Sequence, residues 1–98
     1  MKVVFSHRFE AELDHLFLKG VQRFGESVAS DTFLKIDHAL RHILAAQPYL
    51  GRFFPGRKCY RYDVARTPFV IYYQIKGQRL IAVAIRHGAQ DRSEFEGD

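Results

Sequence analysis

The sequence predicts a single α+β domain of order β-α-α-β-β-β, with a helical hairpin packed on one face of a mostly antiparallel four-stranded sheet. Two observations carry that prediction. The half from Lys58 to Gln90 holds three runs rich in Val, Ile, Tyr and Phe, separated by Ala65-Arg66-Thr67-Pro68 and Lys76-Gly77-Gln78-Arg79. The half before it holds two stretches whose apolar residues recur at three- and four-residue steps.

Lys2 to Phe5 is a short apolar run ending at Ser6, which reads as a first strand followed by a helix N-cap. Phe9, Leu13, Leu16, Phe17, Val21 and Phe24 then mark the buried stripe of a helix that Gly25 ends. A second helix begins near Glu26 or Ser27, with Ala29, Phe33, Ile36, Leu40, Ile43 and Leu44 on its stripe, and Pro48 stops it. Pro48 to Arg57 holds two prolines and two glycines and reads as a connecting loop with Phe53 and Phe54 as core anchors.

Strands follow over Lys58–Val64, Phe69–Ile75 and Leu80–Ile85. In the middle one, Phe69, Ile71, Tyr73 and Ile75 share one face, while Val70, Tyr72 and Gln74 share another that is expected to be partly wet. Leu80–Ile85 is apolar at every position, as expected of the central strand. After Ile85 the chain turns polar, so the tail to Asp98 is expected to be exposed, to contact a target, and to be dispensable for folding beyond Gly88.

At 98 residues and 47% hydrophobic, residues 1–98 form one domain. The lone Cys59 excludes an internal disulfide, and with no signal peptide and no apolar run near the ~20 residues of a membrane span, a cytoplasmic protein without membrane contact is expected. The net charge of +4, with ten arginines among fifteen basic residues, favours an acidic partner.

His38 and His42 stand one helical turn apart, a spacing that suits a shared metal, but they lie on a polar face with Asp31 and Lys35 and no third ligand, so no metal is assigned. No glycine-rich phosphate loop, serine elbow or paired acid motif occurs, so no cofactor is assigned. His87, beside Arg86 at a strand end, could act as a general acid or base, or could close the strand by a bond to a backbone carbonyl. The Arg-rich sheet half, interleaved with Tyr60, Tyr62, Tyr72 and Tyr73, suits nucleic acid or an acidic peptide equally; direct nucleic-acid binding stays open.

These features in this order resemble the ParE/RelE superfamily of toxin-antitoxin toxins, the plasmid stabilisation toxins. The resemblance rests on the helix from Ala11 and Leu13 to Phe24-Gly25, Pro48-x-x-Gly51, Tyr60-Arg61 followed by Val70-Ile71-Tyr72-Tyr73, and Ile85-Arg86-His87-Gly88. It implies a toxin neutralised by a ParD-like antitoxin whose C-terminal segment wraps the hairpin and sheet. ParE-like members inhibit DNA gyrase, whereas RelE-like members cut messenger RNA on the ribosome. Aligned on the nuclease pattern, Val70 replaces a strand arginine, Ala89-Gln90 a basic pair and Glu96 a tyrosine, which favours gyrase inhibition and a non-enzyme.

Arg61, Tyr73, Arg86, His87, Gln90, Asp91 and Arg92 are assigned to antitoxin or target contact. Arg61, Arg86 and His87 would be the catalytic set of the alternative, an RNA-cleaving toxin. A non-toxic binding module of the same fold is the remaining alternative.

Overall fold

The structure, a computed structural model, describes residues 1–90 and 93–97. The elements are β1 (Lys2–Phe5), α1 (His7–Phe24), α2 (Glu26–His38), a π-helical turn (Ala39–Leu44), β2 (Arg52–Phe54), β3 (Cys59–Asp63), β4 (Phe69–Lys76), β5 (Arg79–His87) and a short α3 (Ser93–Glu96). The predicted hairpin and strands are present, but the sheet has five strands rather than four, in the order β1-β5-β4-β3-β2. Among the described residues, only the β1–β5 pair is parallel, with Val3 opposite Leu80.

Ser6 starts α1 as expected: its Oγ accepts the Phe9 N–H at 3.0 Å and donates to the Val83 carbonyl at 3.1 Å, joining the cap to the sheet. Gly25 sits at φ +91°, a conformation L side chains rarely adopt, and lets α1 turn directly into α2. The second helix does not run unchanged to Pro48. Over Ala39–Leu44 it widens, the Ala45 N–H reaching the Leu40 carbonyl at 3.0 Å, and this wider turn keeps Ala39, Leu40 and Leu44 all buried.

The fifth strand lies in the stretch expected to be loop. Arg52–Phe54 pairs antiparallel with Cys59–Arg61 across the turn that contains Pro55 and Gly56. Its presence moves the centre of the sheet to β4, so Leu80–Ile85 is not central but lies between β1 and β4. Phe53 is not a core anchor either: it is 47% exposed and leans on Tyr60 with ring centroids 4.8 Å apart.

The run Leu80–Ile85 is apolar throughout because both faces are covered and the alternation is broken. Tyr72 pairs with Ala84 and Tyr73 with Ala82, leaving Val83 as an extra residue in β5. Leu80, Ala82 and Ile85 therefore join Ile71 and Tyr73 against the helices, where Phe9, Leu13, Ile36, Leu40 and Leu44 meet them. Ala84 turns to the opposite face with Cys59, Val70 and Tyr72. That face is not partly wet at this end, since Phe95 of α3 covers it and is only 7% exposed. The expectation of an exposed tail is corrected at Phe95, whose ring docks on the sheet, while His87, Ala89, Gln90 and Glu94 are exposed as expected.

Candidate functional site

β1 ends at Phe5, opposite Ala82, so beyond that point the outer edge of β5 is bordered by the first turns of α1 instead of a strand. Glu12 fills the gap, its Oε1 accepting the Ile85 N–H at 3.0 Å. Its Oε2 takes charge-assisted contacts from Arg86 and, at 3.3 Å, from Arg8 one turn earlier on α1.

α3 lies over this corner of the sheet. The Phe95 ring stacks on Tyr72 at 4.6 Å, with the guanidinium carbons of Arg8 and Arg86 at 5.0 and 5.4 Å from its centroid. Glu94 pairs with Arg8 at 2.5 Å and Arg86 at 3.6 Å. Glu96 takes Arg61 Nη1 at 2.8 Å and the Tyr72 hydroxyl. Arg61 completes its fork on Asp63, Nε to Oδ1 at 2.7 Å.

The Arg61–Glu96 pair is only 14% and 15% exposed, so solvent and salt screen it less than an ordinary surface pair. Arg61 titrates above its usual value: burial is the largest single effect and opposes the charge, but the bonds and charges of Asp63 and Glu96 together outweigh it. The hydrogen bond to Arg8 holds the Glu94 carboxyl below its usual range. Cys59 lies buried beneath, its Sγ donating to the Phe95 carbonyl at 3.1 Å, and burial followed by the Glu96 charge pushes its thiol up.

The assigned contact residues are thus of four kinds. Arg61 and Arg86 meet over the tail and are already paired with acids. His87 and Gln90 form their own exposed turn: the Gln90 Oε1 accepts the His87 N–H at 2.9 Å, and His87 Nδ1 accepts the Ala89 N–H at 3.2 Å. The expected bond from His87 to backbone exists, but to an N–H rather than a carbonyl. In the neutral ring this leaves the proton on Nε2, a donor and not a base.

Tyr73 is the third kind, and its assignment to partner contact is corrected. It is 0% exposed, stacked on Tyr60 at 5.2 Å, and its hydroxyl donates to the Pro48 carbonyl at 2.8 Å while accepting the Gly51 N–H at 3.0 Å. It ties the Pro48-x-x-Gly51 turn to the sheet. Asp91 and Arg92, the fourth kind, lie outside the described residues.

Burial pushes the Tyr73 hydroxyl up to about 12. A phenol whose folded pKa lies above its unfolded value of about 10 gives stability that is complete below pH 10 and disappears as pH rises to about 12. Chemical denaturation between pH 9 and 12 is expected to show a loss on the order of 2–3 kcal/mol, at 1.36 kcal/mol per pKa unit. Tyr73→Phe should be less stable at neutral pH by about 1 kcal/mol and should flatten that alkaline fall.

Sequence reasoning missed Arg8, Glu12, Glu94 and Phe95. The Arg8–Glu12 spacing of one helical turn was the only local signal among them. It also missed a groove of about 270 Å³ between α1 and α2, lined by Leu16, Phe17, Phe24, Val28, Phe33 and Phe69 among others. Phe24 and Val28 are 64% and 51% exposed at its mouth. The His38 and His42 rings stand 5.1 Å apart, and among the described residues no group of three His, Cys, Asp or Glu side chains is placed to hold a metal. No helix among the described residues is long and apolar enough to cross a membrane.

The fold is shared with chains of two toxin-antitoxin assemblies. One is the chromosomal ParDE TA system from P. aeruginosa, with TM-score 0.72, 19% identity, and coverage of 89% of this chain and 95% of the other. The other is the intact E. coli RelBE toxin-antitoxin complex, with TM-score 0.51, 11% identity, and coverage of 91% and 98%. No curated protein matches the sequence. The family model described as the ParE toxin of the type II toxin-antitoxin system, parDE, matches residues 3–92. The chain belongs to the ParE toxin family.

Proposed function

We propose that this protein is a cytoplasmic toxin that inhibits DNA gyrase and is held inactive by a ParD-like antitoxin. Within the superfamily resemblance, the observation that favours gyrase over RNA is that Arg61, Arg86 and His87, the three residues of the alternative catalytic set, all have partners within the chain. Cleavage by a 2′-hydroxyl needs a base, a cation at the phosphate and an acid for the leaving oxygen. Val70 is buried, Arg61 and Arg86 are paired with carboxylates, and Glu96 brings negative charge to the same corner. His87 has its basic nitrogen on the Ala89 N–H.

The antitoxin is proposed to seat the apolar face of an amphipathic, net-acidic segment in the α1–α2 groove, where the hairpin leaves large apolar side chains in water. The mechanistic test combines a supercoiling assay on purified gyrase with mapping of transcript ends on translating ribosomes after induction. Impaired supercoiling with uncut transcripts is expected. Codon-phased cleavage abolished by His87→Ala would establish the RNA-cutting reading instead.

A further inference from the structure

The sheet face opposite the helical hairpin holds a site that the chain fills with its own tail. Arg8, Arg61, Arg86 and Tyr72 come from α1, β3, β5 and β4, and converge on three consecutive residues, Glu94-Phe95-Glu96. The arrangement has the form of a ligand site: an aromatic floor, two cations beside the bound ring, and a separate cation for each flanking carboxylate.

We propose that Glu94-Phe95-Glu96 is a displaceable lid over this site, and that the competing ligand is an acidic peptide segment with the same carboxylate–aromatic–carboxylate pattern. The occupant defines the chemistry the pocket accepts. Two carboxylates around a flat ring match it directly; a nucleic acid could stack a base on Tyr72 as well, and the oligonucleotide arm of the test separates the two. A helix of four residues has no stability of its own, so α3 depends on tertiary contacts such as those of its side chains and the Cys59 bond. Local opening of such an element needs no unfolding of the five-stranded sheet below it.

Opening would uncover Cys59, which supplies the readout. The inference does not rest on gyrase as the target and involves the face away from the α1–α2 groove. The full-length protein, a Glu94→Gln/Glu96→Gln variant and a Phe95→Ala variant would be compared by thiol labelling of Cys59 with a disulfide reagent. Circular dichroism would follow the fold.

Labelling is expected to be at least about tenfold faster in both variants with the fold retained, because each raises the open fraction. A fluorescent peptide carrying Glu-Phe-Glu should bind the Gln variant at least about tenfold more tightly than the parent and protect Cys59, since apparent affinity scales with the open fraction. A Gln-Phe-Gln peptide should not bind, and Arg61→Met in the Gln background should abolish binding. Labelling that in all three proteins proceeds only with global unfolding would overturn the lid. Binding of a single-stranded oligonucleotide but not the peptide would overturn the ligand assignment.

Discussion

Gly51→Ala is expected to destabilise the protein by about 2–4 kcal/mol, lowering the melting temperature by on the order of 10–20 °C for a domain of this size. The position needs glycine for space. A Cβ there would stand 2.6 Å from the Tyr73 hydroxyl and 2.8 Å from the Arg61 carbonyl oxygen. Arg61 is held in β3 between β2 and β4, so that carbonyl cannot retreat without breaking the pairing of Arg61 with Arg52 or Tyr72. The turn would move instead, losing the Gly51 N–H bond to Tyr73 and leaving a buried hydroxyl under-satisfied.

Adding Tyr73→Phe should recover only part of the loss, because it removes the nearer oxygen but not the carbonyl. Gly77→Ala makes a useful contrast. No atom lies within 4 Å of its added Cβ, but Gly77 has φ +60°, so only a conformational cost of about 1 kcal/mol is expected. Equal melting temperatures for Gly51→Ala and the parent would contradict the close approach.

Phe24→Glu combined with Val28→Glu is expected to leave the fold intact and to weaken antitoxin binding by about 2–4 kcal/mol, roughly 30- to 1000-fold. Both side chains are more than half exposed, so neither substitution opens a cavity in the core. Both face the groove, where a bound apolar surface would have to desolvate two carboxylates. Isothermal titration with the co-encoded antitoxin measures the loss, and co-expression should no longer rescue growth. The proposed inhibition of gyrase should be unchanged in the variant. Unaltered antitoxin affinity would remove the groove as the docking surface.

The sequence by itself determined the two helices, the three C-terminal strands, the Ser6 cap and the Gly25 turn, because each is written in spacings of a few residues. The motif order from Phe24-Gly25 to Ile85-Arg86-His87-Gly88 was likewise sufficient to point to the family that the comparison then showed. β2 escaped notice because three residues flanked by glycine and proline have too few positions to show a period, and their partner lies across a turn.

Only the tertiary structure decided what the candidate residues do. Alternation put Tyr73 on one face with Phe69, Ile71 and Ile75, but it did not show that the helices above and the Pro48–Gly51 turn would enclose its ring and take both bonds of its hydroxyl. Arg61 and Arg86 looked available for a partner, yet their carboxylates, Glu96 and Glu12, lie 35 and 74 residues away. Phe95 was one apolar residue in a polar tail, and only the folded sheet presents Tyr72, Arg8 and Arg86 together to receive it. Local patterns record which face of an element is apolar. Which charges meet across the chain depends on the register and packing of whole strands, and no short window of sequence contains that information.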